Sequence, residues 1–446
     1  MLKEIEKLSK EFLEESKDKP VRIISHHDTD GITSATIIAK TLKRLDKKFS
    51  IKIVKGLDDE NLSRELKRNK KEVIIFTDLA SSNLDHFQNL ENPIFIIDHH
   101  EINKEKLNSK IKIINPHLFN GEEICGAGLS YFFAKAISQE NIELSKLAII
   151  GMIGDRHEKN ISKFYNQIIN DTKDLETKKG LTIYPATRPL RRALEYSTSP
   201  YIPGVTGNSE GVLELLRETN IPFEKSLLEL NENEMSKLIT SIMLRTTKSN
   251  HRDEIIGNLY ILKFLNRKED VRELSTLINA CSRLGYYDIA ISLCFENEKM
   301  KSKALDIYAE YKQELITGLK VAEQVEKIKG NGFVILNVKD KIKDAIVGTV
   351  CSMLSSSLNY EEGTILIGMA YNQDKIKVSA RIVGREGKNL KEMLEKTIIG
   401  FKQKHPNANV EVGGHEKAAG CLIEKDKEQD FICELQKSLE IEIVKI

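Results

Sequence analysis

The sequence predicts an α/β protein: an N-terminal doubly wound, mainly parallel sheet, then a helical insertion, then a smaller C-terminal α/β domain. Three observations predict it. Short apolar, β-branched runs alternate with helical patterns over the first 155 residues. Those runs lack clean period-2 alternation, as strands covered on both faces do. Strands then return after Gly330-Asn331-Gly332, beyond a long helical stretch. A chain of 446 residues is too long for one ordinary core, and three domains are expected, at 1–160, 161–330 and 331–446.

The elements follow in order. "VRIIS" (21–25) reads as a strand, followed by a helix from Thr33 to Asp46. "FSIKIV" (49–54) is a second strand, followed by a charged helix near 59–69. "EVIIFT" (72–77), "PIFIID" (93–98) and "IKIIN" (111–115) complete the sheet. "ICGAGLSYFFAKAISQ" is expected as a buried, glycine-containing helix, and "LSKLAIIGMIGD" as a helix ending at Asp155. The middle reads as helical, interrupted by a Pro-rich stretch from Thr182 to Gly211 that holds four of the nine prolines. "GFVILNV", "TILIGMAY", "KIKVSARIVG" and "KAAGCLIE" are the strands of the last domain.

Composition narrows the function. Lys+Arg (68) and Asp+Glu (67) nearly cancel, so affinity for nucleic acid must come from local patches rather than a global field. The six cysteines form no C-x-x-C pair, which excludes the usual zinc frameworks and reads as reduced thiols in a cytoplasmic protein. The N-terminus is amphipathic and charged, without the apolar core of a signal peptide, and no run is long enough to span a membrane. A soluble intracellular chain is expected. The Lys, Glu and Ile bias would suit a heat-adapted proteome.

In an open parallel sheet, function collects at the carboxyl ends of the strands. There the first strand delivers His26, Asp28 and Asp30, and the third delivers Asp78. The fourth delivers Asp98, His99 and His100, and Asp155 closes a helix. Converging carboxylates repel and raise one another's pKa, a conflict that divalent cations remove. An O/N ligand set without thiolate suits Mn²⁺ or Mg²⁺. It is too large for one ion, but two ions ~3.5–4 Å apart sharing a carboxylate would use it, in the arrangement that serves phosphoryl displacement.

Simpler readings compete. Asp28-Thr29-Asp30-Gly31 has the look of a calcium loop, but the twelve-residue spacing and terminal Glu are absent. Asp30-Gly31 can be a turn and helix cap, and Asp78 an N-cap. For any one acid the capping reading would win; it does not explain Asp98-His99-His100 at a buried strand end.

"HHDTDG", "TDLAS", "DHH" and "GDR", in this order, resemble the four motifs of the DHH phosphoesterase superfamily. "EVGGHEKAAGCLIE" (411–424) resembles the Gly-Gly-His motif of the associated DHHA1 domain, and "VSARIVGREGKNL" (378–390) its substrate-contacting strand and loop. The Pro-rich insert and long helical middle are similar to the archaeal RecJ-like exonucleases, relatives of the GINS-associated nuclease. The resemblance implies that His26 and Asp28 hold one metal ion, that Asp30, His99 and Asp155 hold the other, and that Asp78 bridges them. It implies that Asp98 orients the neighbouring histidines and that His100 approaches the scissile phosphate. His27 is not counted as a ligand, and Arg156 and His157 receive no role.

In the last domain, Gly413-Gly414 would let backbone approach a phosphate beside His415, although Gly-Gly is more often a plain turn. Arg381 and Arg385 add charge there, though arginines on a surface strand are often only solvated. In the insert, Arg188, Arg191 and Arg192 interleave with Tyr184, Tyr196 and Tyr201. Such a run can pair with phosphates and stack on bases, or it can simply cover a core edge.

The expected function is a Mn²⁺- or Mg²⁺-dependent exonuclease. It would hydrolyse single-stranded DNA or RNA from an end, release mononucleotides, and serve replication or repair, with GINS or another replication protein as a partner. The rivals are a nano-RNase or oligonucleotide phosphatase, and a replisome scaffold that has lost catalysis.

Overall fold

The structure is a computed structural model that describes residues 1–440 apart from 58–65, 67–70, 83, 88–89, 108–110, 120, 198–199, 201, 247–254, 356–359, 385–386, 409 and 411. The chain packs as two compact units: Met1–Leu190, Lys225–Leu230 and Ile256–Tyr308 form one, and Arg191–Glu224, Asn231–Ile255 and Ala309–Ile446 the other.

The first unit is built on five parallel strands, β1 (Val21–His26), β2 (Phe49–Val54), β3 (Val73–Thr77), β4 (Ile94–Ile97) and β5 (Ile111–Ile114). Their order is β2-β1-β3-β4-β5. Chain direction across the sheet therefore reverses between β1 and β3, and a ligand crevice forms outside the carboxyl ends at such a switch point. β3 and β4 are buried along their whole length, which explains their unbroken apolar sequence.

One face is covered by α1 (Leu2–Glu15), α2 (Thr29–Arg44), α3 (Gly126–Ile137) and α4 (Ser145–Gly154), whose Phe12, Ile38, Phe133 and Ile149 pack with Phe95 of β4. Phe76, Phe87 and Ile96 belong to a separate apolar cluster. The charged helix expected near 59–69 lies almost wholly outside the described residues. α2 starts at Thr29, four residues earlier than the pattern suggested, because the Asp28 carboxylate accepts a hydrogen bond from Gly31 N at 3.0 Å and caps it. Asp28 is thus a helix cap as well as a candidate ligand.

After α5 (Lys163–Asp171) comes an element that helical periodicity did not reveal. It is an antiparallel sheet of β6 (Leu175–Leu181), β7 (Ile256–Phe264) and β8 (Arg267–Asp270), in the order β6-β7-β8. Leu265 and Asn266, both at positive φ (50° and 58°), make the two-residue hairpin turn between the last two strands. The expected helices are also present. α6 (Leu190–Glu195), α7 (Ser209–Thr219) and α8 (Glu232–Arg245) lie between β6 and β7 in sequence, with α9 (Val271–Arg283), α10 (Tyr287–Cys294) and α11 (Glu298–Gln324) after β8.

The second unit holds a six-stranded mixed sheet in the order β13-β14-β12-β11-β10-β9. Its strands are β9 (Lys327–Gly330), β10 (Phe333–Lys339), β11 (Ile365–Asn372), β12 (Lys375–Ile382), β13 (Val412–His415) and β14 (Ala418–Glu424). Only β10 and β11 pair in parallel. With it go α12 (Asp344–Ser355), α13 (Leu390–Lys404) and α14 (Glu428–Glu440); Leu394, Phe401 and Phe431 pack with Ile367, Val378 and Ala380 of the sheet. The short edge strands β9 and β13 were not legible in the sequence. Among the described residues, no helix is long and apolar enough to cross a membrane.

Candidate metal centre

The carboxyl ends of β1, β3 and β4 and the end of α4 bring seven of the expected residues together. One potential ligand atom per residue lies within 4.8 Å of the others in each of three groups: His26, Asp28 and Asp78; Asp30, His99 and Asp155; and Asp78, His99 and His100. Asp78 stands between the first two. Its Oδ2 is 3.6 Å from His26 Nδ1 and its Oδ1 3.2 Å from His99 Nε2. His26 Nδ1 is also 2.9 Å from Asp28 Oδ2, and His99 Nε2 is 3.3 Å from Asp155 Oδ2 and 3.9 Å from Asp30 Oδ2. Asp78 takes up a left-handed backbone (φ 57°), which Asp tolerates better than most residues, and its amide is held by the Ile97 carbonyl.

The fit to divalent ions rests on orphaned oxygens. Both carboxylate oxygens of Asp78 and Oδ2 of Asp155 are buried without a hydrogen-bond partner among the described residues. Buried carboxylates are ordinarily paired or bound to metal. The electrostatics agree. Burial first, then the charges of Asp78 and Asp155, push the Asp30 carboxyl well above its usual range. Asp155 is raised to about 6, by burial and by Asp78 and Asp28, against the opposing pull of His99. Burial disfavours a charged His26, yet Asp28 and Asp78 raise it to about 10. A hard O/N donor set of this kind suits Mn²⁺ or Mg²⁺, with Asp28, Asp30, Asp78, Asp155, His26 and His99 as the residues able to hold them.

Asp98 does not join the groups. It is fully buried, and its oxygens accept from Ser81 N (2.8 Å), His99 N (2.8 Å), His100 N (3.3 Å) and His100 Nδ1 (2.7 Å). Burial opposes its ionisation, but His100 and these amides hold it below the ordinary carboxylate range. It orients the His100 ring directly and His99 only through the backbone. Asn115, at the end of β5, completes this support by donating to Ser81 Oγ and to the His100 carbonyl, both at 2.8 Å.

Further supports come from segments that sequence spacing could not connect. At the amino end of α3, Gly126 N and Ala127 N donate to the two oxygens of Asp30, at 2.6 and 2.9 Å. A methyl group on Gly126 would lie 2.8 Å from both Asp30 Oδ2 and Asp78 Cβ, which accounts for glycine there. Helix α9 grips the loop after β1: Thr29 Oγ1 donates to the Ser275 carbonyl at 2.9 Å, and Ser282 Oγ donates to the His27 carbonyl. Replacing Ser282 with alanine is expected to raise the Mn²⁺ concentration needed for half-maximal binding about tenfold, by analogy with lost outer supports of metal ligands. Calorimetric titration of Mn²⁺ into the full chain measures this.

Sequence comparison now decides the family. The model of the DHH family N-terminal domain matches residues 20–154, and that of the DHHA1 domain residues 330–440. The model described as archaeal Cdc45 matches residues 99–337, more than half of the chain. The chain belongs to the archaeal Cdc45 family. An uncharacterized protein of Methanocaldococcus jannaschii is 30% identical over 448 aligned positions, covering 97% of this chain and 96% of that one. Among solved structures, CDC45 from Entamoeba histolytica is similar at TM-score 0.70 and 13% identity, over 98% of this chain and 99% of that one. RecJ from Thermus thermophilus in complex with Mn²⁺ matches at 0.59 and 16%, over 98% of this chain and 54% of that one. An exonuclease RecJ bound to manganese matches at 0.57 and 15%, over 98% and 94%. At these identities the structures share the fold.

In the DHHA1 domain, strand register gathers the expected substrate residues. Arg381 on β12 pairs with Ala418 on β14, and Ala418 pairs with His415 on β13. Ser379, Gly420 and Gly413 form the next such row. Directly paired residues share a face, so Arg381, Ser379, Gly413 and His415 belong to one surface, with small residues between them. The Arg381 guanidinium is steadied by Ser352 Oγ at 2.8 Å and by its neighbour's carbonyl. Arg385 lies outside the described residues.

The two glycines differ. A methyl on Gly414 (φ 117°) would meet the Ala418 carbonyl at 2.3 Å, whereas one on Gly413 would meet nothing within 4 Å. Gly414→Ala is expected to cost on the order of 1–3 kcal/mol of stability. Gly413→Ala should leave stability within ~0.5 kcal/mol and instead weaken binding of single-stranded DNA. Denaturant melts and a filter-binding titration of both variants check the contrast.

The Tyr/Arg stretch is less unified. Arg188, in the first unit, pairs with Glu273 at 3.3 Å; Arg191, in the second, pairs with Glu224 at 3.4 Å, and Arg192 is exposed. Tyr196 is 62% exposed, with the Lys312 ammonium 5.9 Å from its ring centroid; Tyr184 is half-buried. Tyr201 lies outside the described residues.

Proposed function

We propose that the protein is a metal-dependent phosphodiesterase that hydrolyses single-stranded DNA or RNA from an end, releasing mononucleotides in the service of replication or repair. The observation that carries this reading is Asp78, whose two buried oxygens face separate groups of ligands and receive no hydrogen bond. His26 and Asp28 would hold one Mn²⁺ ion, Asp30, His99 and Asp155 a second, and Asp78 both, with Mg²⁺ as the alternative. When bound, such a pair lowers the pKa of a water and offsets the charge of a phosphate.

The rest falls to the chain itself. Asp98 accepts a hydrogen bond from His100 Nδ1–H, and the other ring nitrogen would then meet a phosphate oxygen. Arg381, His415 and the Gly413 backbone would hold the nucleotide's phosphates, and Arg188, Arg191 and Arg192 the following strand. The RecJ structures with Mn²⁺ support the choice of ion.

A second reading, a Cdc45-like replication protein that binds partners such as GINS without hydrolysing anything, draws on the family match and on the CDC45 structure. Against it stands the full set of ligand positions. A length series separates the readings: dinucleotides to long single strands of DNA and RNA, in Mn²⁺, in Mg²⁺ and in chelator. Hydrolysis of long strands that needs the metal supports the exonuclease; activity confined to the shortest substrates favours a nano-RNase. No hydrolysis at any length leaves the partner-binding reading.

A further inference from the structure

We propose that His157 is a further phosphate-contacting donor of this centre and that Tyr165 positions it, an inference that rests on the phosphodiesterase reading. Three consecutive amides at the amino end of α3 are committed: Cys125 N donates to the Tyr165 hydroxyl at 2.7 Å, and Gly126 N and Ala127 N donate to Asp30. One rigid helix end therefore fixes a candidate metal ligand and the Tyr165 hydroxyl in the same frame.

Tyr165 is fully buried, and its hydroxyl lies 2.6 Å from His157 Nδ1. With the phenol oxygen accepting the Cys125 amide, we assign its own proton to Nδ1. That places the imidazole proton on Nε2 and makes this nitrogen a hydrogen-bond donor. Nε2 has no hydrogen-bond partner among the described residues, and the ring is half-buried rather than enclosed.

Arg156 leaves α4 in a left-handed conformation (φ 60°), directly after Asp155, and the next residue is His157. Its ring stands 6.1 Å from the His99 ring, centroid to centroid, at 81°. A donor of fixed tautomer at the edge of a metal centre is suited to an anionic oxygen. The chemistry recognised is a phosphate oxygen of the substrate.

The test uses the full chain labelled with [¹⁵N]histidine, with the His157 signals assigned through His157→Gln. The wild type is expected to show His157 protonated on Nε2, and Tyr165→Phe to lose that preference. Adding inorganic phosphate to the Mg²⁺-loaded protein should shift the Nε2 signal. In hydrolysis of single-stranded DNA, His157→Ala should lower kcat about 10- to 100-fold while the Mn²⁺ midpoint stays unchanged. His157→Gln, whose amide reaches a similar position, should recover part of the loss.

A proton on Nδ1, no response to phosphate, or a shifted Mn²⁺ midpoint with unchanged kcat would each overturn the proposal. If the wild type hydrolyses nothing, the phosphodiesterase reading falls by itself. The phosphate titration still decides whether His157 meets phosphate.

Discussion

Asp78→Ala is expected to abolish hydrolysis of single-stranded DNA, a loss of more than about a thousandfold, and to do so in a protein that remains folded. The reason lies in what its carboxylate does not do. Neither oxygen accepts a hydrogen bond, so truncation strands no protein donor, unlike the loss of most buried carboxylates. What is lost is the group facing both His26 and His99. A second readout follows by mass action. Mn²⁺ at a hundred times its dissociation constant should stabilise the wild type by about 2.7 kcal/mol, and this increment should shrink or vanish in the variant. Thermal melts with and without Mn²⁺ measure it. An Asp78→Ala protein that keeps both its activity and its Mn²⁺ response would remove Asp78 from the centre.

Asp98→Ala is expected to fail in the opposite way, through stability. Asp98 accepts from three backbone amides and from His100 Nδ1 while fully buried. Removing it leaves those donors without an acceptor and costs about 3–5 kcal/mol, the range for breaking a buried, hydrogen-bonded charge pair. Urea unfolding of the metal-free protein should show this as a lower midpoint with little change in slope. Activity should fall as well, because His100 loses the partner that sets its tautomer. The contrast with Asp78 is informative, since both are buried aspartates at the ends of neighbouring strands. One is supported by the protein and the other is not, and only the second has the character of a ligand.

Much of the centre was legible because a parallel sheet places consecutive strand ends side by side. Once "VRIIS", "EVIIFT" and "PIFIID" are read as strands, His26, Asp78 and Asp98-His99-His100 must share an edge. Asp28 shows that the bland and functional readings need not compete, since it caps α2 and also faces His26. The supports were not legible. Ser282 and His27 are 255 residues apart in sequence, and the amides of Gly126 and Ala127 carry no side-chain signature. The sheet β6-β7-β8 was missed because β6, "LETKKGL", is mostly polar, and because its partner follows only after three helices. For "IGNLYILKF", helix and strand periodicities are hard to separate over so short an apolar run.

On the proposed reading, two groups of ligands joined by Asp78 would make this member of the archaeal Cdc45 family a nuclease. The most direct measurement follows one long single-stranded DNA, labelled differently at its two ends, in Mn²⁺, with the wild type and Asp78→Ala side by side. The account predicts that the wild type releases one label first, as a mononucleotide, and that the variant releases neither. An intact strand with the wild type, in protein shown by calorimetry to bind Mn²⁺, would contradict it.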